Sequence, residues 1–336
     1  TESTNIWLRL EHDGVEGWGE ASPFSIGATP QTTDIILDSL KQVAPSLSDL
    51  SPYDRQTIQA RMDTTKLSSA TRSALDLAIH DWIGKTLNIP LWQLWGSDRS
   101  TIVPTSVTIG ISSPDAARQR LRHWLQSTAV RAVKVKLGSP AGIAADQAMF
   151  TAVQGEIPEG DRASTKISVD ANGGWNLTDA ILMSQWLADR GVTYLEQPLP
   201  PCSAIKGRDE NLRHLYRASP LPIFVDESCF TSRDIPALAD RVHGINIKLM
   251  KSGGLSEALR MIHTAQAHGL QIMFGCYSDS TLANTAAAHL APFATHLDLD
   301  SHLNLMDDPF MGAEMKDGYL IPNTLPGLGV TRKSHQ

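Results

Sequence analysis

The chain has 336 residues, of which 41% are hydrophobic and 19% are charged, and its formal net charge is −7. This composition is typical of a globular protein large enough for one or two domains. The lack of a basic surplus argues against a nucleic-acid partner, and no apolar run reaches the roughly 18–20 residues of a membrane-spanning helix. Three cysteines without paired spacing (Cys202, Cys229 and Cys276) fit a reducing compartment, so we expect a cytoplasmic protein.

The first hundred residues predict an α+β unit. Ile6, Leu8 and Leu10 alternate with polar residues, "HDGVE" supplies an Asp-Gly turn, and a second short strand follows. An isolated hairpin is marginally stable and the chain lacks an initiator Met, so we expect a further segment to precede it. Residues 31–96 then carry apolar residues at helical spacing, in "TTDIILDSLKQVAPSL" and "SATRSALDLAIHDWIGKTL".

From residue 101 onward, apolar strand patterns alternate with helical patterns. The eight predicted strands are "VPTSVTIG", "AVKVKLG", "KISVDANG", "TYLEQP", "PIFVDES", "GINIKLMK", "QIMFGC" and "THLDLD". This repeat of 22 to 34 residues between strand ends is typical of the βα units of a parallel barrel. An open doubly wound sheet is the alternative, although no glycine-rich phosphate loop follows the first strand. The last thirty residues predict a hairpin and a tail outside the barrel.

Three consecutive predicted strands end on an acid: Asp170, Glu196 and Asp226. In a parallel barrel the carboxyl ends of the strands form the rim on which chemistry is built. Three crowded carboxylates repel one another and raise each other's pKa, and a hard divalent cation relieves this repulsion. Oxygen ligands with open positions suit Mg²⁺. The alternative is that each acid caps the next helix or pairs with an arginine.

Lysines stand on either side of these acids. Lys134 and Lys136 share a face of the preceding strand, and Lys248 ends the strand after Asp226. Repulsion between Lys134 and Lys136 is expected to lower the lysine pKa, which helps to provide a neutral amine base near about pH 7. The strand order places Lys136 and Lys248 on opposite sides of the acids.

This order of lysines and acids suggests a reaction. A cation would bind a substrate carboxylate while one lysine removes the α-proton, giving an enediolate. The other lysine would return a proton to the opposite face, so that the stereocentre is inverted. A non-catalytic binding protein on a barrel scaffold is the competing class, but a binding protein has no need of two amine bases.

A fourth strand ending, "THLDLD", carries Asp298 and Asp300 at i and i+2, which predicts a shared face. A pair of carboxylates there could clamp a cationic group of the substrate, such as an α-ammonium. A second metal site, and a terminal turn or helix cap, are the alternatives.

The chain resembles the enolase superfamily, in the muconate lactonizing enzyme subgroup. The motifs that carry the resemblance span nearly the whole sequence: "GWGEAS", "ALDLAIHDWIGK", the KxK at Lys134 and Lys136, "DANGGW", "EQP", "DES", Lys248 followed by Gly253 and Gly254, and "PGLGV". The resemblance implies an α/β fold: a modified TIM barrel, (β/α)7β, over residues 101–307. An α+β capping domain would comprise residues 1–100 and 308–336.

The resemblance also implies roles for the residues at the rim. Asp170, Glu196 and Asp226 would hold one Mg²⁺, and Lys136 and Lys248 would be the acid/base pair. Lys134 would tune Lys136 and contact the substrate carboxylate. Two further residues, Glu227 and Asn172, would support the metal ligands from behind.

The "DLD" motif is similar to the DxD of dipeptide epimerases, in which the pair holds the ammonium group of the dipeptide. This implies inversion of the C-terminal residue of a dipeptide, with conversion of L-Ala-L-Glu to L-Ala-D-Glu, a murein fragment, as the default reaction. o-Succinylbenzoate synthases, N-succinylamino acid racemases and cycloisomerases of the subgroup remain alternatives. The family's first strand and the loop that closes the site have no counterpart here, so the preferred dipeptide stays open, as does a homo-oligomeric state.

Overall fold

The computed structural model describes residues 3–26, 30–201 and 210–333. The chain begins with the predicted hairpin, in which β1 (Ile6–His12) pairs with β2 (Val15–Ala21) in antiparallel register. Asp13 and Gly14 make the turn, both with a positive φ (50° and 73°), as the Asp-Gly sequence predicts. Four helices follow: α1 (Thr33–Leu47), α2 (Arg55–Thr64), α3 (Ser69–Leu87) and α4 (Leu91–Leu94). We call the described part of residues 3–96 the N-terminal unit.

Helix α3 is the centre of the N-terminal unit and is buried on nearly all sides. It begins at the Ser68 cap, whose hydroxyl accepts from Thr71 N, and ends at Asn88 in a left-handed conformation. Strand β2 lies directly against it because Gly17 and Gly19 carry no side chain. A Cβ added at Gly19 would stand 1.9 Å from the carbonyl oxygen of Ala74.

Eight strands form one parallel sheet. They are β3 (Val107–Ile109), β4 (Ala132–Lys136), β5 (Lys166–Asp170), β6 (Val192–Glu196), β7 (Ile223–Val225), β8 (Gly244–Ile247), β9 (Gln271–Gly275) and β10 (His296–Asp298). Spatial order follows chain order, and a parallel bridge between Thr105 and Leu297 joins the first strand to the last. The predicted barrel is therefore confirmed, and the doubly wound alternative is wrong, since such a sheet reverses its strand order.

Each of the seven connections between these strands contains one or two helices. They are α5 (Pro114–Ser127), α6 (Ile143–Glu156), α7 (Leu177–Ala188), α8 (Glu210–Ala218), α9 (Ile235–Leu238), α10 (Leu249–Ser252), α11 (Leu255–Ala267) and α12 (Thr281–Ala288). This arrangement is the predicted (β/α)7β topology. Strands β7 and β8 are buried along their whole length, as expected for a parallel sheet covered on both faces.

The C-terminal segment adds four short strands: β11 (Phe310–Met311), β12 (Glu314–Lys316), β13 (Tyr319–Ile321) and β14 (Thr331–Arg332). The predicted hairpin is formed by β12 and β13, and β11 pairs with β14. This segment touches both parts of the chain: Leu328 N donates to Asp81 Oδ1 (2.8 Å), and Thr105 N donates to Gly318 O (3.0 Å). The division into residues 1–100 with 308–336 and residues 101–307 stays a prediction. None of the described helices is long and apolar enough to cross a membrane.

Two buried acids of the N-terminal unit fix it against the barrel. Glu20, at the end of β2, accepts hydrogen bonds from Ser280 N (2.8 Å) and Ala283 N (3.1 Å) in the first turn of α12. Asp76 of α3 likewise accepts from Ser256 N (2.8 Å) at the start of α11. Carboxylates stabilise the partly positive N-termini of helices. Because helices begin where strands end, these contacts bring the N-terminal unit over the carboxyl rim of the barrel.

The close approach of β2 to α3 gives a stability prediction. We expect Gly19→Val to lower the free energy of unfolding by about 1–3 kcal/mol, because the new side chain meets the backbone of α3. Gly155→Ala is the matched control: this position lies in α6 with no atom within 4 Å of the added Cβ. The control should raise stability by about 0.5–1 kcal/mol, since alanine favours helix. Equal melting temperatures for Gly19→Val and the parent protein would contradict this account.

Candidate active site

The carboxyl ends of the barrel strands bring the predicted site residues together. Parallel register places Lys136 beside Asp170, and Asp170 beside Glu196. Asp226 follows β7 directly, and Lys248 follows β8. All of these side chains are buried except that of Lys136, which is partly exposed toward the cavity at the rim.

Lys134 is the innermost of these residues and is wholly buried. Its Nζ lies 2.9 Å from Asp298 Oδ2, 2.7 Å from Glu196 Oε2 and 3.1 Å from Asp170 Oδ2. Burial alone would lower the pKa of Lys134, but the three carboxylates outweigh it and hold the pKa well above its ordinary value. The expectation that repulsion from Lys136 would lower this pKa is therefore wrong for Lys134, because more negative than positive charge surrounds it.

Lys136 and Lys248 contact acids at opposite ends of the row. Lys136 Nζ lies 2.8 Å from Asp170 Oδ2, and Lys248 Nζ lies 2.6 Å from Asp226 Oδ2. Burial opposes ionisation of Asp170, but Lys136 and Lys134 lower its pKa to about 2. Lys248 is the main cause of a lowered pKa at Asp226, again against the effect of burial. Both lysines line one cavity of about 740 Å³.

Two residues of this cluster were missed by the sequence analysis. Asn246 Nδ2 donates to Glu196 Oε1 (2.7 Å), and Lys251 Nζ donates to Asp226 Oδ1 (2.6 Å). Asn246 stands two positions before Lys248 on an apolar strand, so side-chain alternation could have identified it. Lys251 lies in the short helix α10, where its sequence position resembles that of an ordinary surface lysine.

Asp298 and Asp300 are both buried and both line the cavity, but they do not share a strand face. Strand β10 ends at Asp298, and Asp300 has helical backbone angles (φ −104°, ψ −4°) at the start of a 3₁₀ turn. Asp298 Oδ1 accepts from Ser106 Oγ (2.7 Å) and Thr108 Oγ1 (2.9 Å), while Oδ2 faces Lys134. Asp300 Oδ2 accepts from Thr108 N (2.7 Å). The oxygens of Asp298 are thus committed to the protein's own donors.

The two predicted supporting residues differ in their surroundings. Asn172 is exposed, with a left-handed φ of 47°, and its backbone N donates to Asp170 Oδ1 (2.9 Å). Glu227 lines the cavity beside Lys248, and its buried Oε2 accepts no hydrogen bond from the described residues. Burial, with the charges of Asp226 and Asp170, raises the pKa of Glu227 to about 7.

The charges at this rim do not cancel. Six acids, four lysines and one arginine leave a formal excess of one negative charge: Asp170, Glu196, Asp226, Glu227, Asp298 and Asp300 against Lys134, Lys136, Lys248, Lys251 and Arg120. Within the described residues, Glu196 Oε2 and Asp226 Oδ2 are buried without accepting a hydrogen bond, and each faces an ammonium group at ion-pair distance. No three acidic, histidine or cysteine side chains of the described ranges are spaced to hold a metal ion together. The excess charge and the oxygen donors nevertheless fit a divalent cation.

Two family descriptions match this chain. Residues 116–335 match the enolase C-terminal domain-like family, and residues 1–96 match the N-terminal domain of the mandelate racemase / muconate lactonizing enzyme family. The chain belongs to the enolase superfamily. The match to this superfamily includes both the N-terminal unit and the barrel, as the sequence motifs predicted.

Similar proteins of the enolase superfamily carry isomerase names. A hydrophobic dipeptide epimerase of a Flavobacteria bacterium is 43% identical over 332 residues, which cover 98% of this chain and 91% of the relative. The L-Ala-D/L-Glu epimerase of Escherichia coli is 31% identical over 300 residues, covering 89% and 86%. A dipeptide epimerase of Enterococcus faecalis, solved with Mg and the dipeptide L-Leu-L-Tyr, has a TM-score of 0.86 at 31% identity, covering 98% and 92%. These comparisons confirm the prediction of an isomerase.

The central place of Lys134 in this enolase-superfamily site gives a second prediction. Lys134→Met leaves three buried carboxylates without their shared cation, so we expect a loss of about 3–5 kcal/mol in the free energy of unfolding. Equilibrium denaturation in the presence of a chelator measures it. Lys41→Met is the control, because the Lys41 side chain is 76% exposed and its ion pair with Asp38 is long at 3.8 Å. This substitution should change the free energy of unfolding by less than about 0.5 kcal/mol. Matching curves for Lys134→Met and Lys41→Met would refute the shared-cation account.

Proposed function

We propose that this protein is a Mg²⁺-dependent dipeptide epimerase that inverts the α-carbon of the C-terminal residue. The observation that carries the proposal is the placement of Lys136 and Lys248 at opposite ends of a buried row of acids in one cavity. Two amines on opposite sides of a carbon acid can remove a proton from one face and return one to the other. The epimerase names of the similar proteins support the same activity.

Asp170, Glu196 and Asp226 are the residues that would hold the metal ion. When bound there, Mg²⁺ would supply Lewis-acid stabilisation of the charge that develops on the substrate carboxylate. Asn246 and Asn172 orient two of these carboxylates through the hydrogen bonds to Glu196 Oε1 and Asp170 Oδ1.

The two lysines exchange protonation states in each turnover. One enters as a neutral amine and takes the α-proton, so the electron pair of the Cα–H bond moves into the enediolate. The other enters as an ammonium group and gives its proton to the opposite face of the same carbon. The reverse reaction uses the same residues in exchanged roles, so that no proton is gained or lost overall.

Asp298, at the end of the last strand, and Asp300, just beyond it, have different roles in this proposal. Asp298 already accepts hydrogen bonds from Ser106, Thr108 and Lys134, so we assign it the role of positioning Lys134. Asp300 lies at the cavity wall and is the carboxylate that we assign to the ammonium group of the dipeptide. An N-succinylamino acid or a cycloisomerase substrate has no free ammonium, so it would offer Asp300 no cationic group in addition to the hydrogen bond from Thr108 N.

The proposed function also includes a preferred dipeptide and a cellular location. L-Ala-L-Glu is the default substrate from the sequence motifs, whereas the relative at 43% identity is named for hydrophobic dipeptides. A cytoplasmic location and a possible homo-oligomer stay predictions. Cys229 and Cys276 are unpaired in the structure, and Cys202 lies outside the described residues.

Metal binding is tested by thermal unfolding and calorimetry. Mg²⁺ at about 100 times its Kd should stabilise the fold by about 2.7 kcal/mol, because it binds only the native site. Asp226→Asn removes one ligand charge and should abolish this stabilisation. Asp38→Asn is the control, since Asp38 is an exposed acid on α1. An unchanged Mg²⁺ response in Asp226→Asn would place the ion elsewhere.

The two-lysine reaction is tested by solvent-deuterium exchange on a library of dipeptides. We expect the α-proton of both L,L and L,D dipeptides to exchange. Lys136→Ala and Lys248→Ala should each lose epimerisation but keep exchange from one diastereomer, because the remaining lysine still serves its own face.

Two outcomes would contradict this reaction. Full epimerisation by Lys248→Ala would rule out two bases. Turnover of an N-succinylamino acid, with no exchange from any dipeptide, would favour another activity of the superfamily.

A further inference from the structure

Lys248 is enclosed by two residues at the end of the neighbouring strand. Gly275 ends β9, and Tyr277 stands two positions further on. A Cβ added at Gly275 would lie 3.1 Å from Lys248 Cε, so the missing side chain leaves room for the stem of the lysine. The centroid of the Tyr277 ring lies 4.5 Å from Lys248 Nζ, which places the ammonium group against the aromatic face.

The ring of Tyr277 is held by stacking and not by its hydroxyl. It lies parallel to the ring of Phe24, with centroids 4.4 Å apart and an interplanar angle of 2°. Tyr277 Oη is buried and has no hydrogen-bond partner among the described residues. A buried hydroxyl usually finds a partner, so its isolation indicates that packing of the ring determines this position.

Phe24 belongs to the N-terminal unit and is anchored through Gln31. Its backbone exchanges two hydrogen bonds with Gln31: Phe24 N to Gln31 O (3.1 Å) and Gln31 N to Phe24 O (2.8 Å). The Gln31 side chain donates to Ser69 Oγ (2.9 Å) and accepts from Ala70 N (2.8 Å) at the start of α3. An unbroken series of contacts therefore runs from the N-terminal unit to Lys248.

We propose that Tyr277 is a positioning residue for Lys248. Phe24 fixes the ring, and the ring confines the ammonium group of Lys248 to the space between Asp226 and the cavity. Through these contacts the N-terminal unit controls the aim of one of the two lysines. This inference rests on the proposed two-lysine reaction, in which misplacing a reacting group by about 1 Å can cost on the order of 100-fold in rate.

Stereospecific exchange separates positioning from general damage. Lys248→Ala first identifies the diastereomer whose α-proton Lys248 serves. Tyr277→Leu should lower deuterium exchange from that diastereomer by about 10- to 100-fold and leave the other nearly unchanged. Tyr277→Phe keeps the ring and should retain both rates. Tyr319→Leu is the control, because Tyr319 also lies beside a cation, Arg131, but away from the cavity. Equal losses at both diastereomers in Tyr277→Leu, or none at either, would overturn the proposal.

A spectroscopic measurement tests the same contact without substrate. In protein labelled with ¹³C at lysine Cε, the Lys248 signal, assigned by its loss in Lys248→Met, should be shifted upfield by the aromatic ring. The shift should vanish in Tyr277→Leu and persist in Tyr277→Phe. An unshifted signal in the parent protein would refute the placement of the ring. The shift could disappear in Tyr277→Leu while the parent protein exchanges the α-proton of no dipeptide. That combination would refute the proposed function and uphold the contact between Tyr277 and Lys248.

Discussion

The structure depends on one buried ammonium group. Lys134 is shared by Asp170, Glu196 and Asp298, and these four groups could not be buried without one another. Asp298 ends the last strand, whereas Lys134 lies on the second, so their contact spans the seam at which the barrel closes. Thr108 of the intervening strand and Ser106, directly before that strand, also bind Asp298. Of these charged groups, Asp298 also lines the cavity of the candidate active site.

The N-terminal unit completes the rim that this network begins. Glu20 and Asp76 bind the first turns of two barrel helices, and those helices begin at the end where the acids lie. Phe24 continues the contact into the cavity by stacking on Tyr277, which covers Lys248. One boundary between the two parts of the chain therefore stabilises the fold and shapes the space in which a substrate would be held. A change at that boundary far from the acids can alter the aim of Lys248.

Features that repeat along the chain could be predicted from the sequence, and features that depend on distant contacts could not. Hydrophobic periodicity predicted the eight strands and helices between most of them, and strand-end acids predicted where Asp170, Glu196 and Asp226 gather. The pKa of Lys134 was misjudged because its nearest acids include Asp298, 164 residues away. The prediction that Asp298 and Asp300 share a strand face was wrong because the strand ends at Asp298. The contact of Phe24 with Tyr277 joins segments that share no sequence pattern.

The proposed reaction requires a carbon acid to be held between Lys136 and Lys248 at the carboxyl rim of the barrel. A crystal structure of the protein with Mg²⁺ and a bound dipeptide would show where that carbon lies. We expect the α-carbon of the C-terminal residue between the two lysines, with each Nζ at about 3–3.5 Å on opposite faces. We also expect the metal ion on Asp170, Glu196 and Asp226. An α-carbon within reach of only one lysine, or a metal ion bound to other residues, would contradict the proposed reaction.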